Sequence, residues 1–302
     1  CVGPISYTGH KAIAADIANF KAALAASNVG EGFMTSIGPA SCARIGNEHY
    51  KSDDEFVFAC ADAMREEYKA IVDAGLVLQI DDPAIAENFD QINPEPTAEE
   101  YRKFTRPKIE ALNHALRGLP QDRIRFHLCW GSWHGPHTTD VPMREIVGLM
   151  LEINAGAYSF EAGNVRHEHE WAVWKDTKLP DDKLILPGVV SHATNVVEHP
   201  ELVAERIGRF ASLVGRERVI AFRLGNESQF KLFYARSGAS VHQLGVNPAG
   251  RSCVHFQVRA PAAALESYAS GTIDSWSIPA DGQPLSFAFH NDSVGYMASG
   301  GH

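Results

Sequence analysis

The 302-residue chain has no run of about eighteen apolar residues, so nothing in it reads as a membrane-spanning helix. It opens with no basic stretch leading into an apolar one, which argues against a signal peptide. It has no excess of Lys and Arg. They number 27 against 37 Asp and Glu, and the net charge of −10 speaks against non-specific binding to nucleic acid, where phosphates must be neutralised. Cysteine is sparse: Cys1, Cys42, Cys60, Cys129 and Cys253, an odd number at wide spacing in a large chain. A disulfide framework is not expected, and a reducing, cytoplasmic setting fits better. Apart from Cys129, these cysteines read as small buried hydrophobes.

A strand-then-helix rhythm is present. Short β-rich runs lie at Gly32–Gly38, Gly75–Asp81, Ile124–Gly131, Ala157–Ala162, Leu184–Val190 and Arg218–Phe222. They are nearly continuous in apolar residues, as strands buried on both faces should be. Helical patterns alternate with them at His10–Ser27, Ser52–Ala74, Thr97–Leu116, Asp140–Asn154, Asn164–Lys175 and Val196–Val214. Ser52 and Thr97 each precede an acid by three residues, the signature of a capped helix start. The opening CVGPISY reads as a short extra strand. The alternation predicts an α/β fold with a parallel sheet. Six strand–helix units are counted, where a closed TIM (β/α)8 barrel needs eight. The expectation is therefore an incomplete barrel lacking the first two units.

Composition changes near Phe222. Residues 1–221 carry 22 basic and 32 acidic residues, whereas residues 222–302 carry five of each and hold 11 of the 20 serines. The chain is accordingly read as a partial barrel over 1–221 and a divergent, low-charge tail over 222–302. CVHFQVRA and LSFAFHNDSVGYM are its candidate strands, and the end reads as disordered.

Candidate chemistry gathers where predicted strands end. His127 and Cys129 flank one residue on a strand, so both side chains face one side, and both are good zinc ligands. By spacing alone such a pair is more often a packed His and a packed Cys than a metal site. Glu161 ends the next strand as a third ligand or as a capping carboxylate. Asp81 and Asp82 cannot both face inward. Asp81 enters the barrel mouth if Gln79 does, suiting a substrate ammonium group, or else the pair makes an Asp-Pro turn. His192, after the strand LILPGVV, could move a proton or enter the helix beside Asn195. His134, His137, His167 and His169 are read as exposed loop and helix positions.

Together LQIDDP, FHLCWGSWHGPHTTD, YSFEAGNVRHEHEW, LPGVVSHATNVVEHPE and GRERVIA resemble, in this order, the catalytic C-terminal barrel of the cobalamin-independent methionine synthase family. The short single-barrel relatives are the most similar. The resemblance covers roughly residues 1–221. It implies a TIM barrel, a zinc ion, and transfer of a methyl group from a methyl-folate to homocysteine. It implies that His127, Cys129 and Glu161 ligate zinc, that Asp81 holds the homocysteine amino group, that His192 is catalytic, and that Gly38-Pro39 lines the folate side. It implies small-molecule partners and neither nucleic acid nor membrane, and it leaves the oligomeric state open.

Two departures stand out. RVIA runs on into Phe222-Arg223-Leu224-Gly225, where the family has an Asp-Cys-Gly triplet whose Cys is the fourth ligand. The family's first two strands, which contact the amino-acid substrate, have no counterpart. Cys253 could replace the lost ligand only if the tail folds back over the mouth. The alternatives are a related zinc-dependent thiol alkyltransferase, a catalytically incomplete fragment, and a binding module using the acidic surface.

Overall fold

The computed structural model describes residues 1–27, 30–131, 138–191, 196 and 198–221, together with the backbone of 275–280 and 283–288. The chain divides into two compact units, one of 1–188 with 207–220 and the other of 189–206 with 221–302.

In the first unit, five strands lie side by side in chain order and run parallel: β1 (Phe33–Ile37), β2 (Val77–Asp81), β3 (Ile124–Leu128), β4 (Ala157–Glu161) and β5 (Leu184–Gly188). Helices α1 (His10–Ala25), α2 (Pro39–Cys42), α3 (Asp53–Asp73), α4 (Ala98–Leu116) and α5 (Met143–Leu151) precede or connect them. A parallel neighbour can be reached only by a crossover, which explains the alternation in the sequence. The α/β expectation holds. Among the described residues the row of strands is open rather than closed. The run Arg218–Phe222 contributes one parallel bridge, Val219 to Ile185, with Ile220 N donating to Ile185 O at 2.9 Å.

The helix starts follow their sequence signals. Ser52 Oγ accepts from Glu55 N at the head of α3. Thr97 and Glu100 form a reciprocal capping box on α4, so two otherwise orphaned N–H groups are satisfied.

On β2, β3 and β4 the two sheet faces differ, which corrects there the expectation of strands apolar on both sides. Leu78, Ile80, Ile124, Phe126, Leu128, Tyr158 and Phe160 alternate onto one face and are buried. Burying each of the larger side chains contributes about 1.5–3 kcal/mol. The other face carries Gln79, Asp81, Arg125, His127, Ser159 and Glu161, in parallel register. Phe33, Ile37, Val77, Leu184 and Leu186 share this parity, so the polar character is concentrated on β2, β3 and β4.

Three further expectations are corrected. Residues 1–9 form no strand. Pro4 has no N–H to give to a ladder, and the segment is fastened instead to a loop: the Cys1 amino group donates to Gly46 O at 2.6 Å and Ile5 N to Tyr50 Oη at 2.7 Å. The helix expected over Asn164–Lys175 is a turn followed by a 3-10 segment, Glu168–Lys175. Asn164 Oδ1 accepts from Arg166 N and His167 N, both at 2.9 Å, and this competes with helix initiation. His167, expected to be exposed, is buried at 3% relative exposure, between Trp130, Asp140 and Glu170.

In the second unit, Glu198 accepts from Ser191 N at 2.8 Å and pairs with Arg206 at 2.5 Å, at the start of α6 (Pro200–Val214), which runs on into the first unit. The backbone of Ser275–Ala280 (β6) and Gln283–Ala288 (β7) forms an antiparallel pair. β7 overlaps the expected strand LSFAFHNDSVGYM. CVHFQVRA, Cys253 and the chain end lie outside the described residues.

Candidate metal centre at the strand ends

The polar face is layered by register. Gln79, Arg125 and Ala157 align across β2, β3 and β4, and Asp81, His127 and Ser159 align in the next inward-facing row. Cys129 and Glu161 stand two residues beyond His127 and Ser159, on the same side and toward the carboxyl ends. The floor is stiff. Arg125 Nε donates to Gln79 Oε1 at 2.5 Å, and the guanidinium lies 3.9 Å over the Phe33 ring. Burial pulls Arg125 down to about 10.

Above this floor, one ligand atom each from Asp81, His127 and Cys129 lie within 4.8 Å of one another. His127 Nδ1 is 3.3 Å from Ser159 Oγ, and Gly131 N donates to Cys129 Sγ at 3.3 Å. Burial pushes the Cys129 thiol up to about 12. Asp81 adds to this, the Gly131 N–H opposes it, and Glu161 and Glu87 add further. Burial, and then Glu87, push Asp81 up to about 6. Asp81 Oδ1 is buried without a hydrogen-bond partner among the described residues.

These features fit a divalent cation on the residues' own evidence. A nitrogen, a sulfur and an oxygen donor converge, a buried oxygen has no hydrogen bond among the described residues, and burial with negative neighbours raises the pKa of both Cys129 and Asp81. A 2+ charge at their centre relieves all three at once.

The sequence had singled out His127, Cys129, Asp81 and Glu161, and all four share the polar face. The 4.8 Å cluster contains the first three, with Glu161 outside it. His192, His134 and His137 lie outside the described residues. Asp82 points the opposite way from Asp81, is fully buried, and accepts from Ala40 N, Ser41 N and Ser41 Oγ at 3.3, 2.9 and 2.6 Å. Gly38-Pro39 leads into α2 beside it.

Sequence reasoning missed Ser159 and Glu87. Ser159 could have been found by parity, since it stands two residues before Glu161. Glu87 lies in a 3-10 turn after β2, pairs with Arg44 at 2.5 Å, and approaches the backbone at Gly131. A Cβ on Gly131 would lie 2.8 Å from the Glu87 carboxylate, and Gly131 has φ of +82°, so both space and backbone conformation call for glycine there.

The site belongs to a class defined by its geometry: an α/β protein carrying N, S and O donors at the carboxyl ends of parallel strands. Comparison with known proteins narrows this. The chain is 25% identical over 190 residues to a methionine synthase of Saccharolobus solfataricus, covering 62% of this chain and 48% of that protein. It is 28% identical over 117 residues to a methionine synthase of Saccharolobus islandicus, covering 37% and 31%. It is 26% identical over 202 residues to a 2-hydroxypropyl-CoM lyase of Xanthobacter autotrophicus, covering 57% and 48%. The chain thus spans about half or less of the curated relatives it matches. Among solved structures, a B12-independent methionine synthase from Shewanella sp. W3-18-1 in complex with selenomethionine aligns with a TM-score of 0.48 and 20% identity, over 62% of this chain and 52% of that one. No family model matches the chain.

Proposed function

We propose that this chain activates a thiol on a zinc ion held at the ends of β3 and its neighbours and transfers an alkyl group to it. The reaction favoured by the similarity to methionine synthases is transfer of a methyl group from a methyl-folate to homocysteine. The observation that carries this reading is the convergence of His127, Cys129 and the Asp81 carboxylate within 4.8 Å on one sheet face. The five parallel strands are read as a sector of a TIM barrel, whose active sites lie at this end of the sheet.

Zinc, when bound, supplies Lewis acidity that keeps a coordinated thiol as the nucleophilic thiolate near neutral pH. The chain's own residues do the rest. His127 and Cys129 are the ligand pair. The resemblance assigns Glu161 as the carboxylate ligand and Asp81 as the anchor for the substrate amine. Ser159 orients the His127 ring, and the Arg125–Gln79 floor keeps the strand ends in register. His192 is assigned to proton movement by the resemblance alone.

Zinc content per chain, together with homocysteine-dependent methyl transfer from methyltetrahydrofolate polyglutamate, tests the reading. Stoichiometric zinc and turnover lost in Cys129→Ser are expected. A metal-free chain without transfer overturns it. Zinc without turnover identifies a catalytically incomplete form of the site. The similarity to a 2-hydroxypropyl-CoM lyase supports a second reading, alkyl chemistry on a different thiol. Turnover of 2-hydroxypropyl-CoM with no reaction of homocysteine selects it.

A further inference from the structure

Asp81, Glu161 and Glu87 all act on the Cys129 thiol, and the resemblance gives two of them different tasks: Glu161 to the metal, Asp81 to the substrate. The geometry sorts them the other way. Asp81 stands directly opposite His127 in the β2–β3 ladder. Its carboxylate, the imidazole and the sulfur lie mutually within 4.8 Å, a cluster that Glu161 does not join. Donors around a tetrahedral zinc ion, at about 2.0–2.3 Å from it, are about 3.3–3.8 Å apart, so closing this cluster on an ion takes shifts of about an ångström.

Asp81 also presents a buried oxygen that a cation would satisfy. This Oδ1 has no hydrogen bond among the described residues. The nearby Glu87 adds negative charge, and the Arg44 guanidinium pairs with Glu87 at 2.5 Å.

We propose, resting on the metal-centre reading above, that Asp81 rather than Glu161 is the protein carboxylate that ligates the metal in this chain. The centre is then a His127–Cys129–Asp81 triad with its fourth position open to a substrate thiol, the arrangement expected of a catalytic rather than a structural site. One thiolate and one carboxylate balance the 2+ ion. A chain lacking the family's second cysteine thus keeps a full neutral set from residues already together.

Metal binding to the full chain tests this, with Co(II) as the optical probe and Zn(II) as competitor. Wild type should bind one Co(II) with a thiolate-to-metal charge-transfer band. Asp81→Asn should weaken Co(II) and Zn(II) binding by at least about tenfold, and Glu161→Gln by less than about threefold. Asp81→Cys should roughly double the charge-transfer absorbance, because a second thiolate joins the ion, whereas Glu161→Cys should leave it unchanged. That gain of signal keeps the test decisive if Asp81→Asn fails to fold. If the Glu161 variants alter the metal and the Asp81 variants do not, the assignment falls and the thiol-activation reading stands. If wild type binds neither ion, both fall.

Discussion

His127 and Ser159 are register partners on neighbouring strands, and His127 Nδ1 lies 3.3 Å from Ser159 Oγ. A hydroxyl that engages one ring nitrogen fixes the plane of the imidazole and leaves the other nitrogen for a metal. Loss of such an outer partner commonly weakens metal binding about 10–100-fold without disturbing the fold. Ser159→Ala should therefore lower Zn(II) affinity by about tenfold in a competition titration, with the urea midpoint of the metal-free chain nearly unchanged. Equal metal affinity in the two proteins would show that Ser159 plays no part in holding the ring.

This pair also shows where sequence reading ends. β2, β3 and β4 were legible because each carries buried apolar residues at alternate positions, β5 because it is a continuous apolar run, and the starts of α3 and α4 because Ser52 and Thr97 precede an acid by three residues. The same alternation made the strands look apolar throughout, since Phe126, Leu128, Tyr158 and Phe160 dominate the composition around their polar neighbours. His127 and Cys129 were legible from two-residue spacing. The Asp81–His127 contact was not, because it depends on the register between strands 46 residues apart in sequence. His167 was misread because local polarity, RHEHEW, says nothing of the carboxylates and indole that enclose it.

Cys42 gives a prediction in pH. Burial, then Cys60, Asp82 and Glu67, push its thiol up to about 12, and burial pushes Cys60 up to about 11. A raised thiol pKa means that the reactive thiolate is scarce below that value and increases tenfold per pH unit until it is reached. At pH 8 an ordinary thiol is about a quarter ionised, whereas one titrating near 12 is ionised to about one part in ten thousand. Iodoacetamide labelling of Cys42, followed by peptide mass spectrometry, should be about a thousandfold slower in the native chain than in urea and should accelerate steadily to pH 11. Native labelling at the urea rate would contradict the burial described here.

Asp82 ties β2 to α2. Its carboxylate accepts from Ala40 N, Ser41 N and Ser41 Oγ, and it is fully buried, yet burial outweighs these hydrogen bonds and raises it to about 6. Asp82→Ala removes the acceptor and strands two backbone N–H groups, which should cost about 2–4 kcal/mol in urea unfolding. Gly38→Ala attacks the same contact from the other side, since its Cβ would lie 2.2 Å from an Asp82 carboxylate oxygen. Because the new Cβ would also lie 2.4 Å from the Asp82 Cβ, which alanine retains, its cost should fail to add only to that of Asp82→Gly, where the double variant removes every side-chain atom that is struck. Simple additivity would mean that the two residues act on different parts of the fold.

His167 supports the centre from below. Its ring lies 4.3 Å from the Trp130 ring, its Nδ1 is 2.8 Å from Glu170, and its Nε2 is 3.7 Å from Asp140. Glu170 also accepts from Met143 N at 2.6 Å, and Trp130 Nε1 donates to Val141 O at 2.8 Å, so one cluster joins the β3 end to the start of α5. Trp130 follows Cys129 directly. Removing the imidazole leaves a void against the indole and takes a hydrogen bond from the half-buried Glu170 carboxylate. His167→Ala should cost about 2–3 kcal/mol. His167→Phe refills the void without restoring the hydrogen bond, and should recover part of that loss. If packing beneath Trp130 is what sets the position of Cys129, zinc affinity should follow the same order, wild type above Phe above Ala. A Phe variant as unstable as Ala would assign the whole effect to the Glu170 contact, and an Ala variant with wild-type zinc affinity would uncouple this cluster from the centre.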